Sequence, residues 1–181
     1  MSQPIVILDR DGVINQDSDN YIRSVEEWIP IPGSIEAIAR LSRAGFFIAV
    51  VTNQSGLGRG FFSDIDLANM HNYMEQLVEN AGGQIDALFY CPHLPSDNCL
   101  CRKPRTGMLE QLEQEFAISL KDAFYVGDAA KDIDAALAMS CRPILVRTGK
   151  GASTEQQLDS HLLASVPVVD DLNAAVELIL G

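Results

Sequence analysis

Residues 5–13 read Ile5-Val6-Ile7-Leu8-Asp9-Arg10-Asp11-Gly12-Val13. Four consecutive apolar residues are typical of a strand buried on both faces, as in a parallel sheet covered by helices. Side chains of an extended chain alternate with a period of two, so Asp9 and Asp11 can project toward the same side as the chain leaves the strand. Two carboxylates so close together repel each other unless a cation lies between them. The segment predicts a buried strand with an acidic site at its carboxyl end, and an acidic turn without a ligand is the alternative.

Further apolar runs follow, and stretches of helical periodicity separate them. The runs cover residues 46–51, 87–90, 123–126, 143–146 and 166–169, and the predicted helices cover 35–44 (with Ser34 as N-cap), 63–80, 106–116, 129–139, 154–163 and 172–180. Strands that alternate with helices predict the α/β class, with a Rossmann-like open parallel sheet and helices on both faces. We expect a single domain over residues 1–181, because no insertion is large enough for a cap domain.

Composition and charge restrict the classes of function. Apolar residues make up 47% of the chain and charged residues 21%, as in ordinary globular proteins. The net charge of −12 argues against a nucleic-acid partner, since such proteins usually carry a basic face. The N-terminal residues lack the features of a signal peptide, and no apolar run approaches the roughly 20 residues that span a bilayer. We therefore expect a cytoplasmic monomer without a membrane partner.

Polar residues follow three of the later apolar runs. Residues 52–56 read Thr-Asn-Gln-Ser-Gly and offer hydrogen-bond donors that suit phosphate oxygens, although a polar turn is the alternative. Asp128 follows the fourth run and adds a third carboxylate suited to a hard divalent ion, although it could also be a helix cap. Arg102 and Lys103 add positive charge. Because the carboxyl ends of parallel strands meet at one edge of the sheet, we expect these residues to line one site, together with loops 13–31 and 91–105.

The ordered set of Asp9-Arg10-Asp11-Gly12-Val13, Thr52, Lys103 and Gly127-Asp128 with Asp132 resembles the haloacid dehalogenase superfamily of phosphohydrolases. The resemblance implies that Asp9 attacks phosphorus and that Asp11 serves as general acid and base. It also implies Mg²⁺ held by Asp9, the Asp11 carbonyl and Asp128, phosphoryl oxygens bound by Thr52 and Lys103, and a supporting role for Asp132. A binding module that retains the acidic pocket without turnover is the non-enzymatic alternative.

A cluster of soft ligands lies between positions 91 and 101. Cys91, His93, Cys99 and Cys101 match the Cys₃His set of a tetrahedral structural Zn²⁺. A disulfide between Cys99 and Cys101 would close a small, strained ring. We expect zinc to make the loop rigid and so to direct Arg102 and Lys103 toward the site. The remaining cysteine and the other histidines are expected to be structural or solvated: Cys141, His71 and His161.

The zinc loop and residues 52–56 are similar to a branch whose members act on heptose 1,7-bisphosphate, in ADP-heptose biosynthesis, or on histidinol phosphate. Ser55 and the Arg-Thr-Gly-Lys-Gly run at 147–151 resemble the heptose enzymes, whereas the short hairpin between His93 and Cys99 resembles the histidinol enzymes. A polynucleotide 3′-phosphatase shares Asp-x-Asp-Gly but fits a charge of −12 poorly. The residues expected to bind substrate are Arg10, Asp17, Asn20, Asn53, Gln54, Ser55 and Arg102.

Overall fold

The computed structural model describes residues 3–181. Its strands are β1 (Ile5–Leu8), β2 (Phe47–Asn53), β3 (Ala87–Cys91), β4 (Phe124–Gly127), β5 (Arg142–Val146) and β6 (Val168–Val169). They form one sheet in the order β3-β2-β1-β4-β5-β6, and every neighbouring pair is parallel. The predicted open parallel sheet is confirmed, and β1 lies at its centre.

Eight α-helices lie between or after these strands within the described residues. They are α1 (Ser34–Arg43), α2 (Ser55–Gly58), α3 (Asp64–Asn80), α4 (Gly107–Phe116), α5 (Ala130–Ala138), α6 (Gly151–Gln157), α7 (Ser160–Ser165) and α8 (Leu172–Leu180). Short 3₁₀ turns occur at Val25–Glu27 and Pro95–Asp97. None of the helices in residues 3–181 combines the length and the apolar character that crossing a membrane requires.

Two local predictions were wrong. The helix predicted over 154–163 is two helices, because Leu158 is extended and the Asp159 side chain accepts a hydrogen bond from the backbone N–H of His161 to cap α7. Ser34 is not the N-cap of α1, since Gly33 takes that position with φ 82°. The Ser34 hydroxyl instead donates to the carbonyl of Ile14 at 2.6 Å and ties α1 to the loop after β1.

The hydrophobic core lies in two layers, one on each face of the sheet. Alternate residues of β1 divide between them: Val6 and Leu8 pack with α1, α3 and α8, whereas Ile5 and Ile7 pack with α4 and α5. Both faces of β1 are therefore covered, which explains its uninterrupted apolar sequence. The buried strand holds the start of the Asp9–Gly12 segment rigidly at the carboxyl edge of the sheet.

Candidate active site

A cavity of about 220 Å³ opens at the carboxyl ends of the central strands. Residues from the ends of β1, β2 and β4 form its floor, and the loops after β1, β3 and β5 form its walls. The lining residues are Asp9, Asp11, Asp17, Ser18, Asp19, Tyr21, Ile22, Thr52, Asn53, Gln54, Ser55, Arg102, Asp128, Ala129, Lys131 and Lys150.

Three buried carboxylates gather at the floor of this cavity, and two of them, Asp9 and Asp128, line it. Oxygen atoms of Asp9, Asp128 and Asp132 all lie within 4.8 Å of one another. Burial, reinforced by the charge of Asp132 and opposed by Lys103, raises the pKa of Asp9 to about 6. Burial and the nearby Asp9 raise the pKa of Asp128 to about 8. Such a group of oxygen ligands fits a hard divalent cation, which would relieve both the burial cost and the mutual repulsion.

Two glycines allow the chain to close around Asp128. A Cβ atom at Gly12 would lie 2.1 Å from Asp128 Oδ2, and one at Gly149 would lie 2.2 Å from the same oxygen. Both glycines also have positive φ, which disfavours any side chain there. The backbone N–H of Lys150 donates to Asp128 Oδ2 at 2.8 Å. The loops after β1 and β5 are thus packed directly onto this carboxylate.

Lys103 lies almost fully buried beside the carboxylates. Its Nζ is 2.9 Å from Asp9 Oδ1 and 2.8 Å from Asp132 Oδ1, and it donates to the Val51 carbonyl at 2.8 Å. Burial opposes its charge, but Asp132 and Asp9 raise the pKa of Lys103 well above its usual value. The side-chain amide of Asn53 accepts a hydrogen bond from Lys103 N at 3.0 Å and donates to Lys103 O at 3.2 Å, which fixes the backbone of the lysine.

Asp11 projects into the cavity but stands apart from the three clustered carboxylates. Its Oδ1 accepts hydrogen bonds from Arg10 and Asn15, and its Oδ2 accepts one from Gln54. Burial opposes the charge on Asp11, yet Arg10 and these donors lower its pKa overall. Gln54 also donates to Thr52 Oγ1 at 2.9 Å, so the ends of β1 and β2 are linked by side-chain hydrogen bonds.

The expectation that Arg10 binds substrate is wrong. Its side chain has no exposed surface and does not line the cavity. The guanidinium contacts Asp11, Gln54 and His71 beneath the pocket floor. The sequence carried no sign of the pairing with His71, because α3 brings that residue in from 61 positions away.

The loop over residues 13–31 supplies part of the cavity wall. Asp17, Asp19 and Tyr21 line the cavity, but Asn20 is exposed and lies outside the lining, so its predicted substrate contact is not supported by this structure. Lys131 and Lys150 line it as well, although sequence reasoning did not select them as site residues. The Lys150 Nζ lies 3.7 Å from Asp17 Oδ2, across the mouth of the pocket.

The predicted soft-ligand residues come together next to the active site. Cys91, His93, Cys99 and Cys101 each offer one possible ligand atom, and these four atoms all lie within 4.8 Å of one another. No disulfide joins the cysteines of residues 3–181. The Cys91 and Cys101 sulfurs are 3.1 Å apart, and His93 Nδ1 is 3.2 Å from the Cys101 sulfur. This set could hold one metal ion. The loop is bonded to the active site, since Gln54 N donates to the Cys91 carbonyl at 2.7 Å.

The family model described as polynucleotide kinase 3 phosphatase matches residues 4–161. A relative from Pseudomonas aeruginosa named D-glycero-beta-D-manno-heptose-1,7-bisphosphate 7-phosphatase is 49% identical over 180 residues, covering 99% of each chain. The crystal structure of D,D-heptose 1,7-bisphosphate phosphatase from Bordetella bronchiseptica, complexed with magnesium and phosphate, is similar with a TM-score of 0.92, 43% identity and 98% coverage of each chain.

A HAD-like phosphatase from Mesorhizobium loti is similar with a TM-score of 0.72 and 30% identity, covering 98% of this chain and 87% of the other. The matches extend over nearly the whole chain and include both the strand ends and the loops that build the cavity. The chain therefore belongs to the polynucleotide kinase 3 phosphatase family within the haloacid dehalogenase superfamily, and there to the family of the heptose bisphosphate phosphatases.

Proposed function

We propose that this chain is a magnesium-dependent phosphatase that removes the 7-phosphate of D-glycero-D-manno-heptose 1,7-bisphosphate, in ADP-heptose biosynthesis. The observation that carries the proposal is the contact of Asp9 with Lys103 beside Asp128 and Asp132, at the end of the central strand. The near-full-length similarity to the Pseudomonas aeruginosa enzyme supports the choice of substrate.

Asp9 is the proposed nucleophile. Its Oδ1 is held by the backbone N–H of Arg10 at 2.8 Å and by Lys103, which leaves Oδ2 to attack phosphorus. The new Oδ2–P bond forms as the bond from phosphorus to the sugar oxygen breaks, which gives an aspartyl-phosphate. Mg²⁺ held by Asp9, Asp128 and the Asp11 carbonyl would offset the negative charge of the carboxylates and of the transferring group.

Asp11 is the proposed general acid and base. It gives a proton to the departing sugar alkoxide, and then takes one from the water that attacks the phosphorus and releases Asp9. The pKa of Asp11 is low in the free protein because of Arg10 and its other donors. A phosphate dianion in the cavity raises that pKa, since a nearby like charge disfavours the carboxylate form.

The cysteine loop is proposed to bind a structural Zn²⁺. Three sulfurs and one imidazole nitrogen form the closed donor set that zinc prefers, with no position left for substrate. Lys103 follows Cys101 by two residues and is held by Asn53, so order in this loop sets the position of the lysine. Arg102 lines the cavity beside Ser55 and Asp17, where it can meet the distal phosphate or the sugar hydroxyls.

Residues 1–181 are proposed to act as one catalytic domain, as a monomer in the cytoplasm. The residues of the candidate site lie at the strand ends of one sheet and in the loops and helix that follow these strands. Thiols free of disulfide bonds suit a reducing compartment. Loops 13–31 and 91–101 would serve as the substrate loop and the zinc loop.

The test is phosphate release from heptose 1,7-bisphosphate and from histidinol phosphate, with Mg²⁺ and with EDTA. We expect a clear preference in kcat/KM for the heptose substrate and loss of turnover in EDTA. Asp9→Asn should abolish turnover, whereas Asp134→Asn, which changes an exposed aspartate of α5, should retain it. Equal or greater kcat/KM on histidinol phosphate would favour the alternative enzyme, and no release at all would favour a binding module.

A further inference from the structure

A fully buried cation and a buried imidazole meet beneath the floor of the cavity. Arg10 has no exposed surface, and His71, on the inner face of α3, is 7% exposed. Arg10 Nη1 lies 3.1 Å from His71 Nε2. Neither side chain lines the cavity, and the proposed mechanism gives His71 no role. A buried charge is costly unless it is bonded, so this pair calls for an explanation.

The direction of the hydrogen bond follows from chemistry. A guanidinium can only donate, so His71 Nε2 must accept and the imidazole must be neutral, with its proton on Nδ1. Burial and the Arg10 charge lower the pKa of His71 to about 3, which agrees with a neutral ring. Met70 and Met74 pack α3 into the core on either side of His71 and hold the acceptor in place.

Two other nitrogens of Arg10 donate to one oxygen of Asp11, and one of them, Nη2, also donates to Gln54 Oε1 at 3.2 Å. Nε and Nη2 donate to Oδ1 at 3.0 and 2.8 Å, and Asn15 Nδ2 donates to the same oxygen at 2.9 Å. Oδ2 accepts a single hydrogen bond, from Gln54 at 3.0 Å. Three donors saturate Oδ1, so the proton that is exchanged with substrate belongs on Oδ2.

We propose that His71 is a positioning residue for proton transfer: through Arg10 it fixes the Asp11 carboxylate so that Oδ2 faces the leaving group. This inference rests on the proposed function, in which Asp11 is the general acid. The contact with a fixed acceptor on α3 adds a third point, besides Asp11 and Gln54, that holds the guanidinium in place. Without that acceptor, Arg10 keeps a buried unbonded donor and gains freedom to rotate, and the carboxylate loses its fixed orientation.

The test compares substrates that differ in their need for a proton. In the step that forms the aspartyl-phosphate, a sugar phosphate loses an alkoxide and requires the general acid, whereas 4-nitrophenyl phosphate loses a stable phenolate and does not. The second step uses Asp11 as base for both substrates, so the comparison is made on the first step, as release of the leaving group in a single turnover. His71→Leu removes the acceptor at similar volume. His71→Gln places an amide oxygen near the position of Nε2, and His71→Asn places it one bond too short. Met70→Leu, a core change in the same helix, is the matched control for packing.

With magnesium present, we expect His71→Leu and His71→Asn to lower the single-turnover rate on the heptose bisphosphate by roughly 10-fold or more. This loss is part of the 10²–10⁴-fold acceleration that a general acid contributes. We expect KM to change little and the single-turnover rate of phenolate release from 4-nitrophenyl phosphate to change by less than about threefold, because the first step with that ester does not use the acid. His71→Gln should retain most of the wild-type rate on the heptose bisphosphate. Thermal unfolding of each variant measures the effect of the substitution on packing. Met70→Leu should not slow the reaction of one substrate more than that of the other.

Equal losses on both substrates, or a variant without the acceptor that keeps the full single-turnover rate on the sugar phosphate, would overturn the positioning role. If His71→Leu does not fold, the comparison of His71→Asn with His71→Gln decides by the same criterion. A wild-type protein that hydrolyses neither substrate would overturn the proposed function and this inference with it. A wild-type protein active on both, with variants that show no selectivity, would overturn this inference alone.

Discussion

Lys103 is the residue on which the charge balance of the site depends. Its ammonium group contacts Asp9 and Asp132, two buried carboxylates that would otherwise face each other without a counter-charge. Its three N–H donors match the three acceptors around it, the third being the Val51 carbonyl. A phosphoryl oxygen that enters the site would take the place of one of these acceptors, so the same group serves the resting site and the bound substrate.

We therefore expect Lys103→Met to damage both stability and turnover. Removing one partner of a buried ion pair costs about 3 kcal/mol of unfolding free energy. Losing a cation aimed at the transferring group should lower kcat roughly 100-fold or more. Urea unfolding and steady-state phosphate release measure the two effects, with the exposed Lys121→Met as control. A Lys103→Met protein with wild-type kcat would remove Lys103 from the catalytic group.

At the scale of an element, the cysteine loop is tied to the active site by hydrogen bonds. Gln54 N donates to the Cys91 carbonyl and Gly58 N donates to the Pro92 carbonyl, so β2 and α2 rest on this loop. Within the loop, Cys99 and Cys101 are only partly buried, and they pack against the core layer that lies between the sheet and helices α4 and α5. A bound metal is therefore the main source of rigidity that its sequence offers.

Cys99→Ala is expected to lose most of the bound zinc and to lower the unfolding temperature. The Asp9, Asp128 and Asp132 cluster does not include this loop, so the affinity for Mg²⁺ should change much less. Metal analysis of the purified protein and Mg²⁺ titration measure the two sites separately. Cys141→Ala, which changes a buried thiol outside the loop, is the control and should keep its zinc. Full zinc content in Cys99→Ala would refute the proposed ligand set.

Helix α3 carries His71 and begins with a complete capping box. The Ser63 hydroxyl accepts from Asp66 N at 3.2 Å, and the Asp66 carboxylate accepts from Ser63 N at 2.8 Å. We expect Ser63→Ala to cost about 1 kcal/mol of unfolding free energy, the usual worth of an N-cap. Ser160→Ala, an exposed serine at the start of α7, should cost less. Chemical unfolding of both variants measures the difference, and equal stabilities would show that the cap contributes nothing.

At the scale of the whole molecule, the acidic site makes stability depend on pH and on metal. The pKa of Asp128 is raised to about 8 in the folded protein, so the folded state keeps a proton that the unfolded chain releases near pH 4. Because its pKa is raised in the folded state, Asp128 contributes to stability through its protonated form. This contribution is present at low pH and is lost as pH rises through about 8. Mg²⁺ binds the ionised carboxylate of the folded protein and therefore stabilises the folded state at high pH.

The variant Asp128→Asn isolates this effect. Without metal, it should gain stability relative to the wild type as pH rises from about 4 to about 8, because over this range the folded wild type keeps a proton on Asp128 that its unfolded chain has released. With saturating Mg²⁺ the wild type should be the more stable of the two. Thermal unfolding across this pH range, with EDTA and with Mg²⁺, measures both. A difference in unfolding temperature that does not change with pH in EDTA would contradict the expectation.

The sequence alone determined the open parallel sheet, most helices and the convergence of strand ends, because these depend on local periodicity and on the geometry of parallel strands. It also indicated, from spacing alone, that Cys91, His93, Cys99 and Cys101 come together. Only the tertiary structure decided which polar groups meet: His71 with Arg10, Asn53 with the Lys103 backbone, and Lys131 and Lys150 at the cavity. The tertiary structure also showed that Arg10 is buried beneath the cavity floor and that Asn20 is exposed outside the cavity lining. Contacts between residues far apart in sequence depend on how complete elements pack, and no local pattern encodes that packing.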